Sequence, residues 1–286
     1  MKNTLLSFGH GYSAQALGRQ LIPLGWLIIG TSRDPENLPT INTQGATAIH
    51  WPGADISDAL ASATHLLISV APNADGDPVL NALRREITAI APQLKWVGYL
   101  STIGVYGNHD GAWVDEDPPL TPATKRGKLR VKAEAEWQAL AADTNLPLHI
   151  FRLAGIYGPG RGPFAKVRKG TARRIVKPNQ LFSRIHVEDI ATVLAASIAK
   201  PNPGRIYNVC DNNPAPPQDV IAYAAELLNL PIPPAEDYDT AQMTDMARSF
   251  YAESKSVSNA RIKSELGVKL QYPTYQAGLQ ALLKGE

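Results

Sequence analysis

At 286 residues the chain is long enough for one large α/β domain or two lobes, and 44% apolar against 19% charged residues excludes a chain that is mostly disordered. A net charge of +2 is too small by itself to argue for a nucleic-acid or membrane partner. One cysteine, Cys210, excludes an internal disulfide and points to a packed thiol in a reducing compartment.

The opening "MKNTLLSFGHG" reaches glycine after only a few apolar residues, so no secretory signal is read there, and no stretch approaches a membrane span. A cytoplasmic location is expected. The first half then alternates short apolar runs with helical patterns, as a parallel sheet built from strand-helix-strand units requires. "TLLSF" is the first strand. Ala14, Leu17 and Leu21 recur at helical spacing after it, with Gly25 as the stop. "WLIIGTSR", "ATAIHW", "HLLISVAP" and "WVGYLST" follow as strands two to five. "DPVLNALRREITAIAP" is a helix between the fourth and fifth, ended by Pro92. "PATKRGKLRVKAE", residues 122–134, opens the next helix with a run of positive charge, and "LHIFRLAGIYG" reads as a sixth strand. Beyond it, "PNPGRIYNV" is a turn into another strand, and "QDVIAYAAELLNL" and "YQAGLQALLK" are amphipathic helices.

Gly9, Gly11 and Ala14 form G-x-G-x-x-A directly between the first strand and the first helix. In that context the first glycine permits a tight turn, the second lets backbone approach a pyrophosphate, and the third small residue lets helix pack on strand. The helix N-terminus then faces the phosphates. An acidic residue at the end of the second strand would hold the ribose of NAD, but here the strand ends "GTSRDP". Ser32 and Arg33 suit a 2′-phosphate, which favours NADP over NAD. The competing reading makes Arg33 a solvated residue and gives Asp34 the NAD role.

Together with "YLSTIGVYG", "RLAGIYGPG", "RIHVEDIA" and the segments "IYNVCDNNPAPPQDVIAYAAELL" and "NARIKSELGVKLQYPTYQAGL", these features resemble the extended short-chain dehydrogenase/reductase superfamily of epimerases and dehydratases acting on nucleotide sugars. The resemblance implies an α/β fold, a Rossmann-type doubly wound parallel sheet with a small C-terminal substrate lobe. The expected division is 1–157 for the dinucleotide-binding domain and 158–286 for the lobe, with segments around 185–210 returning to the sheet. It also implies cofactor contacts at Gly9, Gly11, Tyr12, Ser13, Ala14, Ser32, Arg33, Ala71, Pro72 and Lys128.

In the resembled family a Ser or Thr orients the reacting oxygen, and matching "VYG" to Val105, Tyr106 and Gly107 puts Thr102 there, with Ser101 beside it. A Tyr in a Tyr-x-x-x-Lys pair serves as general acid/base, its pKa lowered from about 10 by the Lys. Counting back from Glu134, those positions are Arg126 and Arg130. A second register that keeps Lys128 puts Thr124 at the Tyr position. Neither holds tyrosine, and no Tyr occurs between Tyr106 and Tyr157. The chain is thus similar to the atypical members lacking that pair. Arg126 stays protonated and so cannot replace the phenol, but it suits a phosphate or a carbonyl.

Tyr106, Tyr157 and His186 are the remaining proton donors near strand ends, each with a packing role as the alternative, and His10 is expected beside the pyrophosphate or in the turn. Between Thr144 and Val187 there are nine Lys or Arg and no Asp or Glu. This region suits an anionic, nucleotide-sugar-like substrate held by Arg126, Tyr157 and Arg161, or else a solvated basic face at Lys166, Arg168 and Lys169. Aromatics for base stacking are sparse, so no nucleic-acid partner is expected. No His or Cys cluster has metal-ligand spacing, so no metal site is read. Two functions are weighed: an NAD(P)-binding epimerase, dehydratase or reductase-like enzyme, and a non-catalytic dinucleotide-binding sensor or scaffold with a degenerate site. A homodimer is a further implication of the resemblance.

Overall fold

The computed structural model of the protein describes residues 2–285. In chain order it comprises β1 (Thr4–Phe8), α1 (Tyr12–Leu21), β2 (Leu27–Ser32), α2 (Leu38–Thr43), β3 (Thr47–His50), α3 (Ser57–Ser62), β4 (His65–Ile68) and α4 (Pro78–Ile90). Next come β5 (Trp96–Thr102), β6 (Trp113–Val114), α5 (Lys125–Thr144), β7 (Leu148–Leu153), β8 (Gly155–Tyr157), α6 (Phe164–Arg168), β9 (Arg174–Val176) and β10 (Arg184–His186). The rest is α7 (Val187–Ala199), β11 (Ile206–Val209), α8 (Pro217–Leu227), β12 (Ala235–Asp237), α9 (Asp245–Phe250), β13 (Ser256–Val257), α10 (Ala260–Ser264) and α11 (Tyr275–Lys284).

Seven strands form one parallel sheet in the order β11-β7-β5-β4-β1-β2-β3. Helices cover both of its faces, so the central strands are buried on both sides and their sequences read as unbroken apolar runs. Every residue of β1, β4 and β7 is buried. One apolar layer joins Leu5, Leu17, Trp96, Phe151, Ile190 and Tyr207. The opposite layer joins Leu6, Phe8, Leu66, Ile87, Trp137 and Ile150. The strand order reverses between β1 and β4, and in such sheets ligands bind at the carboxyl edge of that switch point.

"LHIFRLAGIYG" is two strands rather than one. Ala154 N–H still bonds Val209 O in the main sheet at 3.0 Å, but Gly155 N–H turns to Ser183 O at 3.1 Å, and β8 pairs with β10 instead. The chain leaves the sheet at that residue. The lobe has its own core, with Tyr157, Phe164, Val220, Ala224 and Leu279 between α6, α8 and α11. β11 returns to the main sheet beside β7, setting Asn208 opposite Arg152.

Candidate active site

The glycine loop leaves β1 at Gly9, whose φ of +74° suits glycine. A Cβ there would come within 3.1 Å of Val70 Cγ2, so a side chain at this position would crowd the exit of β4. Thr31 pins it, its Oγ1 accepting from Gly9 N–H at 3.0 Å and its carbonyl from His10 N–H at 2.8 Å. Gly11 is the N-cap of α1, no side chain caps the helix, and its first turn holds no acidic residue. Gln15 N–H makes the first bond of the helix, to Gly11 O at 2.8 Å, which leaves the N–H groups of Tyr12, Ser13 and Ala14 without an intrahelical acceptor. This is an open anion cradle. Ala71 and Pro72 follow β4 on the neighbouring loop, the first exposed and the second half-buried.

His10 does not face that cradle. Its imidazole is buried between α1 and β2, in the space left by two glycines; a Cβ at Gly30 would approach it to 2.6 Å, and one at Gly18 to 3.5 Å. Burial holds its pKa down at about 4. The glycine inside the second strand was the sequence signal for this close approach.

At the end of β2, Arg33 is exposed, with only its backbone carbonyl engaged by His50 Nε2 at 3.1 Å. Ser32 Oγ donates to Asp34 O at 2.9 Å and accepts from Asp34 N–H at 3.1 Å. The Asp34 carboxylate is turned inward on its own turn, accepting from Glu36 N–H at 3.0 Å.

The other end of the site lies where β5 meets α5. Thr124 caps α5, accepting from Gly127 N–H at 3.1 Å. Gly127 packs against the 3-10 turn at Ile103–Val105, since a Cβ on it would come within 2.7 Å of Gly104 O. Arg130, one turn further on, faces the sheet and donates to Tyr99 Oη at 3.0 Å and Leu100 O at 2.9 Å. Arg126 precedes it by one turn; it is exposed, with its guanidinium 4.9 Å from the centroid of the Phe250 ring on α9. Lys128 is exposed too, between these two positions in sequence and away from them around the helix. Thr102 Oγ1 accepts from Gly104 N–H at 3.1 Å, leaving its own O–H available to donate.

Ser101 is committed elsewhere. Its hydroxyl donates to the buried Glu134, whose carboxylate pairs with Arg152 through Nη2 at 2.8 Å and Nε at 3.2 Å. Arg152 Nη1 continues to Tyr106 Oη at 2.9 Å, and that phenol donates to Asn208 Oδ1 at 2.7 Å. Asn208 N–H donates to Glu116 Oε1 at 2.8 Å, and Arg261 lies 3.5 Å from the same carboxylate. Burial pushes the Tyr106 phenol up to about 12, against the pull of Arg152. Tyr106 is therefore a fixed part of a buried network, as is Arg152, although the sequence counted Arg152 among the cations of an anion-binding region. An arginine inside the apolar run "HIFRL" was the available signal, because such a group is buried only when paired.

Tyr157 sits in the lobe core at 8% exposure, with its hydroxyl 3.5 Å from Thr274 O. Burial raises its pKa, as do the carboxylates of Asp211 and Asp189. His186 accepts from Glu188 N–H at 3.2 Å and so caps α7, and burial holds it at about 4. Much of the basic stretch is likewise engaged. Arg173 pairs with Glu236, Arg174 donates to Pro233 O at 3.0 Å, and Arg184 donates to Phe182 O and Ala215 O. Arg161, Lys166 and Lys169 remain exposed. Among the described residues no group of three or more His, Cys, Asp or Glu side chains could hold a metal ion, and no helix is long and apolar enough to cross a membrane.

No protein-family profile matches the chain. A solved structure from Silicibacter pomeroyi, of a conserved protein of unknown function, superposes with a TM-score of 0.96 at 63% identity, covering 99% of both chains. The UDP-glucuronic acid 4-epimerase of Bacillus cereus, solved in complex with NAD, superposes with a TM-score of 0.77 at 17% identity over 99% of both. Among curated proteins, YeeZ of Escherichia coli is 27% identical over 278 residues, 93% of this chain and 94% of its own. The fold is thus the one seen in that NAD-bound epimerase. By its identity over nearly the whole of both chains, the protein belongs to one family with the Silicibacter pomeroyi protein.

Proposed function

We propose that the protein binds NADP and acts as a reductase- or epimerase-like enzyme on a small anionic molecule. The observation that carries this reading is the uncapped N-terminus of α1 beside a β2 end at which Arg33 is exposed with no carboxylate paired to it. The residues present fit a dinucleotide. The cradle of Tyr12, Ser13 and Ala14 N–H groups takes the pyrophosphate, and Arg33 takes the 2′-phosphate, with Ser32 joining it once its hydroxyl turns from Asp34 O. Asp34 spends one carboxylate oxygen on its own turn, and the exposed Arg33 beside it supplies the positive charge that supports NADP over NAD. The solved relatives that bind NAD and nucleotide sugars, such as the Bacillus cereus epimerase, lend the reading their fold.

When bound, the nicotinamide supplies hydride chemistry. The chain's own residues supply orientation. Thr102 donates its hydroxyl to a substrate oxygen at the end of β5, and Arg130, on the face of α5 that meets the sheet, stands nearer to a ribose-binding role than the exposed Lys128. Arg126 neutralises an oxyanion or phosphate without giving up a proton. A substrate whose oxygen must be protonated thus takes its proton from water, since Tyr106 is locked and Tyr157 is in the lobe core. That absence also sustains a second reading, a nucleotide sensor without turnover.

Titration with NADPH and NADH, followed by nicotinamide fluorescence, tests the proposal. Arg33→Ala is expected to weaken NADPH by about ten- to a hundredfold, the worth of a charge-assisted contact, and to leave NADH unchanged. Equal weakening of both would remove the NADP assignment, and no binding of either would remove the function.

A further inference from the structure

The turn after β8 is tied to the glycine loop across the domain. Gly158 N–H donates to Arg161 O at 3.0 Å and Arg161 N–H to Gly158 O at 2.9 Å, so Pro159 and Gly160 form the tip of a tight turn. Gly160 has φ of +70°, which a side chain would strain. Tyr12, the first residue of α1, donates its hydroxyl to Pro159 O at 2.9 Å. A Cβ at Gly158 would lie 2.4 Å from that hydroxyl, so the glycine is what lets the phenol reach the turn. The result is that the guanidinium carbon of Arg161 stands 5.9 Å from the centroid of the Tyr12 ring. Arg161 is exposed, and it makes no ion pair with any carboxylate among the described residues.

We propose that Arg161 is a positioning group for the pyrophosphate of the dinucleotide, rather than a contact to the substrate. This rests on the dinucleotide reading above and adds a second side to that site. The ring beneath Arg161 belongs to the residue whose own N–H opens the anion cradle, so one side chain links the guanidinium to that helix N-terminus. A planar guanidinium offers parallel N–H groups that match phosphate oxygens, and the aromatic face fixes its plane. Tyr12 is the splint that holds lobe turn and glycine loop together.

Calorimetric titration of the wild-type chain with NADPH, NADH, ADP-ribose and adenosine 2′-monophosphate separates the possibilities. Arg161→Ala is expected to weaken NADPH, NADH and ADP-ribose alike, by about tenfold, while adenosine 2′-monophosphate, which lacks the pyrophosphate, binds as before. Arg161→Lys restores part of the loss. Tyr12→Phe keeps the ring, removes the bond to Pro159 and gives a smaller loss in the same three ligands. The salt dependence of ADP-ribose binding is expected to flatten in Arg161→Ala, which a purely structural role for the turn would not produce. Unchanged affinity for ADP-ribose in Arg161→Ala overturns the proposal while leaving the dinucleotide reading intact. Failure of the wild-type chain to bind any dinucleotide overturns both.

Discussion

The two ends of the site treat polar groups in opposite ways. At the β1–β2 end the N–H groups of the first turn of α1 are uncapped and Arg33 reaches into solvent. At the β5–α5 end Ser101, Glu134, Arg152, Tyr106, Asn208 and Glu116 are buried and bonded to one another. Water satisfies the first set until a ligand replaces it. Nothing outside the protein can satisfy the second, so these groups must satisfy each other. An exposed anion cradle and a self-satisfied buried network are thus separable in this fold. The β1–β2 end is open, whereas the phenol of the proposed proton chemistry has no successor among groups already committed to structure.

The largest test of that contrast is Glu134→Ala. It strands Arg152 as an uncompensated buried cation, which typically costs about 3–5 kcal/mol. Urea denaturation should show that loss, whereas Thr102→Ala, at the more open end of β5, should cost under about 1 kcal/mol. Similar small losses for both would mean that the network is not locked.

A second test uses acid. Burial lowers His10, His65, His149 and His186 to about 4, from an ordinary value of about 6.5. The unfolded chain then takes up protons first as pH falls. The stability these four contribute is complete above about pH 6.5 and is lost progressively from there toward pH 4. Asp211, which burial raises to about 7, acts in the opposite direction, its contribution being lost as pH rises through about 7. Four histidines against that carboxyl should still leave stability falling below pH 6.5. His10→Gln, beneath the glycine loop, should remove one of the four protons from the slope. A slope unchanged by that variant would show that the imidazole is not sealed under the glycine loop.

These elements differ in how plainly the sequence announced them. Strands one to five and the glycine loop were legible, because buried parallel strands are continuous apolar runs and the turn needs glycine at Gly9 for steric reasons. The break at Ala154 was not, since it depends on Gly155 finding Ser183 about thirty residues away. The inward turn of His10 was signalled only by Gly30. The network around Glu134 joins residues from β5, α5, β7 and β11 with the segment before α5, and no local spacing encodes such a meeting. The two possible registers of α5 were likewise equal on paper, and neither the capping by Thr124 nor the turn of Arg130 to the sheet was encoded in the local spacing.

The smallest expected effect sharpens that register. Arg126 is exposed and its recorded contact is with the Phe250 ring, a kind of pairing worth about 0.5–1 kcal/mol at the surface. Arg126→Tyr should therefore leave NADPH affinity unchanged and lower stability by no more than that. It installs a phenol one helical turn before Arg130, where a neighbouring guanidinium favours the phenolate and draws the pKa below the ordinary value of about 10. An ultraviolet difference titration of the variant against the parent isolates this group from the chain's other ten tyrosines. A lowered pKa would mean that the electrostatics needed for a phenol acid/base survive at the β5–α5 end with the phenol alone removed. An ordinary value would mean that Arg130, held by Tyr99 and Leu100, has been recruited to structure along with the rest of that end.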